Sequence, residues 1–316
     1  MIEAADLDLN ITFVMRTIRI GTRDSKLALW QANTVKELLE QNGFATELVA
    51  VKSEGDLDLV TPLYAMGVEG IFTKTLDAYL LSDKIDIAVH SMKDVPIQLA
   101  HGIEQAAVLL RASAKDILVF PKGKTKQEVY KKIGTGSVRR KALLLNRYPA
   151  CLIENLRGNV QTRLQKLEAS NWDAAVFAEA GLSRVALLPE QYETLDWMLP
   201  APAQGAIMIV CRAGDNDCLQ ATTTFNDPIT AMAVKVERDF LKTLMGGCAT
   251  PVSAFAEIKE GQLFFKGSIC SIDGKTLIEH QAVFPVAQAA EAGSIAGNAV
   301  LEKGGKAIVE QIRGGI

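Results

Sequence analysis

The sequence predicts an α/β protein of two or three domains, closed by a smaller α+β domain with an antiparallel sheet. Three observations point there. Short apolar runs alternate with helix-period segments from residue 17 to about residue 225, the rhythm of strands and helices around mainly parallel sheets. From Pro228 onward a long helical segment gives way to alternating strands and an alanine-rich helix. The 316 residues, 48% of them hydrophobic, are enough to fill more than one core.

The elements follow in order. TIRIG (17–21) reads as a strand, and Asp24 or Ser25 caps the helix behind it, which carries Leu27, Ala28, Trp30, Val35, Leu38 and Leu39 and stops at Gly43. ELVAV (47–51) is the next strand, followed by the glycine-bearing loop KSEGD (52–56) and a helix near 71–81. IDIAV (85–89) and DILVF (116–120) are strands; a helix follows Gly136, another covers 159–169, and DAAVF (173–177) is a strand. Pro200 and Pro202 in LPAPAQGA, ahead of the strand AIMIV (206–210), mark a crossing between domains, since two prolines so close do not fit a helix interior. PITAMAVKVERDFLKTLMGG (228–247) is the long helix, and QLFFKGSI (262–269) and LIEHQAVF (277–284) are strands of the antiparallel sheet.

Composition narrows the function. A net charge of −3 provides no global field for nucleic acid or an anionic membrane, so any basic site must be local. No apolar run reaches the ~18 residues of a membrane span, and the acidic start MIEAADLDLNITFVM is no secretory signal, so a cytoplasmic location is expected. Cys151, Cys211, Cys218, Cys248 and Cys270 are scattered without a C-x-x-C pair, and His90, His101 and His280 are not paired at helical spacing. Neither a disulfide framework nor a metal centre is expected.

Three stretches carry candidate chemistry. IDIAVHSMKDVP (85–96) drops His90, Ser91, Lys93 and Asp94 at the end of a strand, where open α/β sheets bind ligands. Each could be a cap or salt-bridge partner. A carboxylate in a cleft could instead hold a cationic nitrogen or move a proton. Residues 131–163 set Lys131, Lys132, Arg139, Arg140, Lys141, Arg147, Arg157 and Arg163 against the single acid Glu154. GTGSVRR and LRGNVQTR place their arginines at helix starts, where backbone N–H groups and guanidiniums converge on carboxylates or phosphates; Arg23 also stands just beyond a strand. In LMGGCATPVSAF (244–255), Cys248 follows two glycines after the long helix. It is either a buried thiol or an exposed nucleophile or attachment point.

Together, RIGTRDSKLALWQA, DIAVHSMKDVP, GTGSVRR, LRGNVQTRL, AGLSR, APAQGA and GGCATP, in this order from residue 17 to the C-terminus, resemble the porphobilinogen deaminase (hydroxymethylbilane synthase) family. The resemblance implies a transferase of tetrapyrrole (haem) biosynthesis. Such an enzyme condenses four porphobilinogen molecules head to tail with loss of ammonia, then releases hydroxymethylbilane by hydrolysis. It implies two α/β lobes like those of periplasmic solute-binding proteins, with the cleft between them. It also implies a monomer with no nucleic-acid or membrane partner.

Residue by residue, Cys248 matches the cysteine that carries a covalent dipyrromethane cofactor, and Asp94 the catalytic aspartate. Arg23, Arg139, Arg140, Arg157, Arg163 and Arg184 match arginines that bind acetate and propionate groups, with Arg23 also near the reacting centre. Ser25, Lys93 and Ser137 match further cofactor or substrate ligands, Lys93 beside the catalytic aspartate, and Phe72 an aromatic at the site. The chain departs from the family pattern at Gly136, where a hydroxyl residue is usual, at Glu54 and Glu69, where basic residues are common, and in APAQG.

The expected division is a disordered leader (1–16), a first lobe (17–110 with 203–225), a second lobe (111–202) and a third domain (226–316) bearing Cys248. The alternative is a two-lobed binding protein for an anionic small molecule, which would leave Cys248 without a role.

Overall fold

The computed structural model describes residues 16–52, 70, 72–244 and 250–314. Expectations for the leader (residues 1–15), Glu54, Glu69 and Cys248 lie outside the described residues.

The first sheet begins with β1 (Ile18–Arg23), α1 (Lys26–Gln41) and β2 (Thr46–Val51). The Ser25 hydroxyl caps α1 by accepting from the Ala28 N–H, and Gly43, at φ +86°, takes the left-handed turn that ends it. The buried stripe of α1 is Ala28, Ala32, Val35 and Leu39, while Trp30 stays 38% exposed. Next come α2 (Lys74–Leu81), β3 (Ile87–Ser91) and β4 (Ile103–Val108), and, much later in the chain, β10 (Ile207–Arg212).

The second sheet uses β5 (Asp116–Val119), β6 (Lys132–Gly134), α3 (Val138–Arg147), β7 (Leu152–Glu154), α4 (Val160–Glu168), β8 (Ala174–Ala178), α5 (Glu179–Ser183) and β9 (Tyr192–Thr194). The strand orders are β2-β1-β3-β10-β4 and β7-β6-β8-β5-β9. In each sheet only the fourth strand runs against the rest. That strand comes from the far side of a crossing. β5 follows the passage out of the first sheet, and β10 follows the passage back.

Both sheets are covered on both faces, which is why their strands read as near-continuous apolar runs. Along β10, Ile207, Ile209 and Cys211 join the core under α1, whereas Met208 and Val210 join the one under α2. Along β5, Leu118 packs towards α3 and Ile117 and Val119 towards α4.

α6 (Asn216–Thr223) packs on β4 and adds Cys218 and Ala221 to the core under α1, and α7 (Pro228–Thr243) opens the C-terminal part. Then β11 (Val252–Lys259), β12 (Gln262–Cys270) and β13 (Leu277–Pro285) form an antiparallel sheet, followed by α8 (Ala289–Val300) and α9 (Lys306–Arg313). The small residues of α8 allow close helix packing. A Cβ on Gly293 would stand 2.3 Å from the Val236 carbonyl oxygen of α7. α7 ends four residues before the expected stop at Gly247. No helix among the described residues is long and apolar enough to cross a membrane.

Candidate active site

The first lobe contributes the loops after β1 and β3, neighbouring parallel strands whose C-terminal ends share one edge. Arg23, the last residue of β1, stacks its guanidinium over Phe72 at 4.1 Å from the ring centroid. Behind β3 the chain makes a single 3-10 turn, Met92–Asp94. Buried Met92 anchors this turn and presents Lys93 and Asp94. Pro96 cannot continue it. The carbonyls of Val95, Pro96 and Ile97, left without helical partners, are gathered by one guanidinium: Arg238 of α7 donates to them at 3.0, 2.5 and 3.2 Å.

The second lobe contributes helix starts. Ser137 caps α3 by accepting from the Arg140 N–H, which puts Arg139 and Arg140 in the first turn. Asn159 caps α4, and the Arg163 Nε donates to the Gly158 carbonyl at 2.7 Å. Arg157, buried, stands between β7 and α4. Gly136 has a steric reason: a Cβ there would meet the Leu156 carbonyl oxygen at 2.5 Å, so the residue lost as a hydroxyl lets the Arg157 loop sit close. Arg184 closes α5, donates to the Gly205 carbonyl at 2.7 Å, and lies over Trp30 of the first lobe, 5.6 Å from the ring centroid.

Arg139 and Arg140 meet a partner that sequence reasoning missed. Asp116, fully buried at the start of β5, takes Arg139 Nη2 on Oδ2 at 2.6 Å and Arg140 Nη2 on Oδ1 at 2.7 Å. Burial alone would raise its carboxyl, but the guanidiniums of Arg139 and Arg140 outweigh it and hold Asp116 well below the usual carboxylate range. Arg139 Nε is buried and finds no hydrogen-bond partner among the described residues.

The two sides act on each other. Burial pushes Lys93 down to about 8, helped by Arg140 and Arg139 and opposed by Asp94 and Asp116. Burial pushes Arg163 down to about 10, helped by Arg140, Arg157 and Arg23 and opposed by Asp94. First-lobe charges thus reach second-lobe ones across the cleft, and cations outnumber the carboxylates Asp94 and Asp116. An ion cluster of this sign in a desolvated cleft calls for a polyanion. A dipyrromethane bearing several carboxylates fits this donor set.

The sequence had also left unnoticed Gln204, between Lys93 and Asp116, and the pair Arg111–Glu237 at 2.6 Å, which ties the crossing to α7. Each had a signal. Asp116 opens an otherwise apolar strand, and Glu237 falls within the buried stripe of α7, among Val234, Val236 and Phe240.

Fold and site together define a two-lobed α/β protein whose lobes bring cations together around Asp94 and Asp116. Residues 18–220 match the family model "Porphobilinogen deaminase, dipyromethane cofactor binding domain", and residues 231–302 match "Porphobilinogen deaminase, C-terminal domain". The porphobilinogen deaminase of Syntrophotalea carbinolica is 41% identical over 298 residues, covering 92% of this chain and 95% of that one. The enzyme of Geotalea uraniireducens is 39% identical over 310 residues, covering 94% and 95%. The chain belongs to the porphobilinogen deaminase family, transferases of tetrapyrrole biosynthesis that use porphobilinogen and a dipyrromethane cofactor.

Among solved structures, a nutrient-binding protein from Burkholderia cenocepacia bound to methionine overlaps with a TM-score of 0.41 at 18% identity, covering 67% of this chain and 92% of that one. The BvgS VFT2 domain of Bordetella pertussis also gives 0.41, at 13% identity, covering 65% and 84%. Overlap this loose adds no weight to the binding-protein alternative.

Proposed function

We propose that the cleft performs the family reaction with Asp94 as its catalytic carboxylate, Cys248 as the cofactor attachment point, and the cations of both lobes as carboxylate ligands. The observation that carries this reading is the cluster itself: Arg163 is buried, Arg140, Arg157 and Arg23 press on it, and Asp94 opposes them, while Asp116 pins Arg139 and Arg140.

Bound, the dipyrromethane supplies the pyrrole carbon to which the first substrate unit is joined. The chain's own residues do the rest. Arg23, Arg157, Arg163 and Arg184 neutralise acetate and propionate groups of the substrate side. Lys93, Arg139, Arg140, Arg163 and Arg184, with the hydroxyls of Ser25 and Ser137, hold those of the cofactor. Both hydroxyls already accept from a helix N–H, and each still has its own O–H to donate. Phe72 backs Arg23 with its ring face. As ammonia leaves porphobilinogen, positive charge develops on the substrate, and a carboxylate fixed at Asp94 stabilises it and takes part in the proton transfers. Lys93, the preceding residue on the same turn, and Arg23, at the end of β1, complete the catalytic group.

Elimination supports Cys248. Cys151, Cys211, Cys218 and Cys270 are all buried, and burial raises each thiol, to about 11, 11, 12 and 11. None of these four is poised to form a thioether. To the same reading belong a cytoplasmic monomer without a nucleic-acid partner, and a division into 17–110 with 203–225, 111–202 and 226–316 that follows the sheets.

Intact mass, followed by peptide mapping around Cys248, tests the proposal. A dipyrromethane-sized adduct, lost together with activity in Cys248→Ser, is the expected result. A chain that stays unmodified after incubation with porphobilinogen overturns it.

A further inference from the structure

Gln204 has every polar atom engaged. Its side chain is buried, and Nε2 donates to the Ala114 carbonyl at 2.7 Å and to Asp116 Oδ1 at 2.8 Å. Both partners are pure acceptors, so the amide can face only one way: Oε1 points to the opposite side, where Lys93 Nζ donates to it at 3.1 Å. The backbone is held too. The Gln204 N–H donates to Ala201, and its carbonyl accepts from Arg111 Nε at 2.9 Å. Gly205, the next residue, sits so close to the outgoing crossing that a Cβ would lie 2.6 Å from the Ala112 carbonyl oxygen.

We propose that Gln204 is the positioning residue for Lys93: one neutral amide fixes the first lobe's ammonium against the second lobe's Asp116–Arg139–Arg140 anchor. The proposal rests on Lys93 being a ligand-binding cation, as read above.

The chemistry requires an amide at this point. A carboxylate in its place would face the Asp116 carboxylate and the Ala114 carbonyl, with no proton to offer either. A hydrocarbon would withdraw a donor from Asp116 and the acceptor from Lys93. Asparagine keeps both groups but is one methylene short of spanning them. The groups facing Lys93 are Asp94 on its own turn, Asp116 at β5, Arg139 and Arg140 on α3, and the Gln204 oxygen. Remove that oxygen and the ammonium keeps its cationic neighbours while losing an acceptor. The charged form becomes less favourable, so Lys93 gives up its proton at lower pH.

The test compares holoenzyme with Gln204→Met and Gln204→Asn. Lys93 is titrated by competitive acetylation with acetic anhydride, read on its peptide by mass spectrometry, beside the pH profile of kcat/KM for porphobilinogen. The expected result is a Lys93 titration about one unit lower in both variants, and a basic limb of kcat/KM displaced by the same amount, about a tenfold loss at the high-pH end. Gln204→Asn can still bond Asp116, so it carries the test if Gln204→Met fails to fold. An unchanged Lys93 titration in a folded variant overturns the proposal. A displaced titration with an unchanged pH profile keeps Gln204 as the positioning residue and overturns the ligand role of Lys93 instead.

Discussion

The first lobe's sheet and the second lobe's sheet have the same order of strands and the same single reversed strand, yet their cleft edges carry opposite chemistry. Beyond β3 the first lobe offers a one-turn helix with a carboxylate, Asp94, beside one lysine. Beyond β6 and β7 the second lobe offers capped helix starts loaded with arginine. The topology decides where a site can be. On the proposed reading, the loops set the catalytic carboxylate on one wall, beside Arg23 and Lys93, and most of the anion-binding arginines on the other. The reversed strands join the walls. Asp116 opens β5 and Gln204 stands just ahead of β10, so the residues that lock Arg139, Arg140 and Lys93 sit where each sheet borrows its strand.

The hardest way to break this comparison is at Asp116. Replaced by alanine, it leaves two buried guanidiniums without their counter-charge, a change expected to cost about 3–5 kcal/mol in urea unfolding. The pH dependence has a definite sign. The folded carboxyl is held below its ordinary value, so its contribution is fully present above about pH 4 and is lost as pH falls below that. Asp116→Asn should therefore flatten the acid side of the stability curve. A variant as stable as the parent, with the same acid slope, would show that the arginines find other partners.

Asp94 breaks the other wall without breaking the fold. Asp94→Asn keeps the shape of the turn, whose carbonyls remain gathered by Arg238. We expect kcat to fall by about 10²–10⁴-fold with the melting temperature unchanged. A loss below tenfold would move the proton chemistry to another residue.

How much of this was written in the sequence depends on the kind of contact. Strands buried on two faces and helices with caps announce themselves locally, so β1, α1, β3, α3, α4, β8 and β10 were legible to within about two or three residues. Short edge strands such as β7 and β9, three residues each, leave no periodic signal. The motif residues Arg23, Lys93, Asp94, Arg139 and Arg140 could be picked out because they crowd element ends. Their second partners could not: Asp116 and Gln204 lie 88 residues apart in the chain and meet only because of the crossing. What looked like two arginines free for a ligand is, in the fold, a pair already pinned on a carboxylate, with only part of each fork left to offer.

Arg163 sharpens the comparison within the anionic wall. Its guanidinium is crowded by Arg140, Arg157 and Arg23, so its removal relieves like-charge repulsion while deleting a ligand for carboxylates. The two effects oppose each other in different observables. Arg163→Gln should leave stability unchanged or slightly raised, while KM for porphobilinogen rises about tenfold, the value of one charge-assisted pair. A fall in stability would assign Arg163 to the scaffold.

The smallest expected effect tests the contact between the lobes. Trp30 lies outside the buried stripe of α1, and Arg184 of the second lobe covers its ring while donating to the Gly205 carbonyl of the crossing. Burial holds the Arg184 guanidinium down to about 10, and an aromatic face is a cheaper neighbour for a desolvated cation than another charge. Trp30→Leu preserves apolar bulk and removes the ring face. The expected cost is about 0.5–1 kcal/mol, appearing as a two- to fivefold rise in KM. kcat should not change, because the ring face is taken by Arg184, to which the proposed reading gives a binding and not a catalytic role. If kcat falls with KM, the Trp30–Arg184 contact reaches the reacting groups, and the division of labour between the two walls is less complete than their strand orders imply.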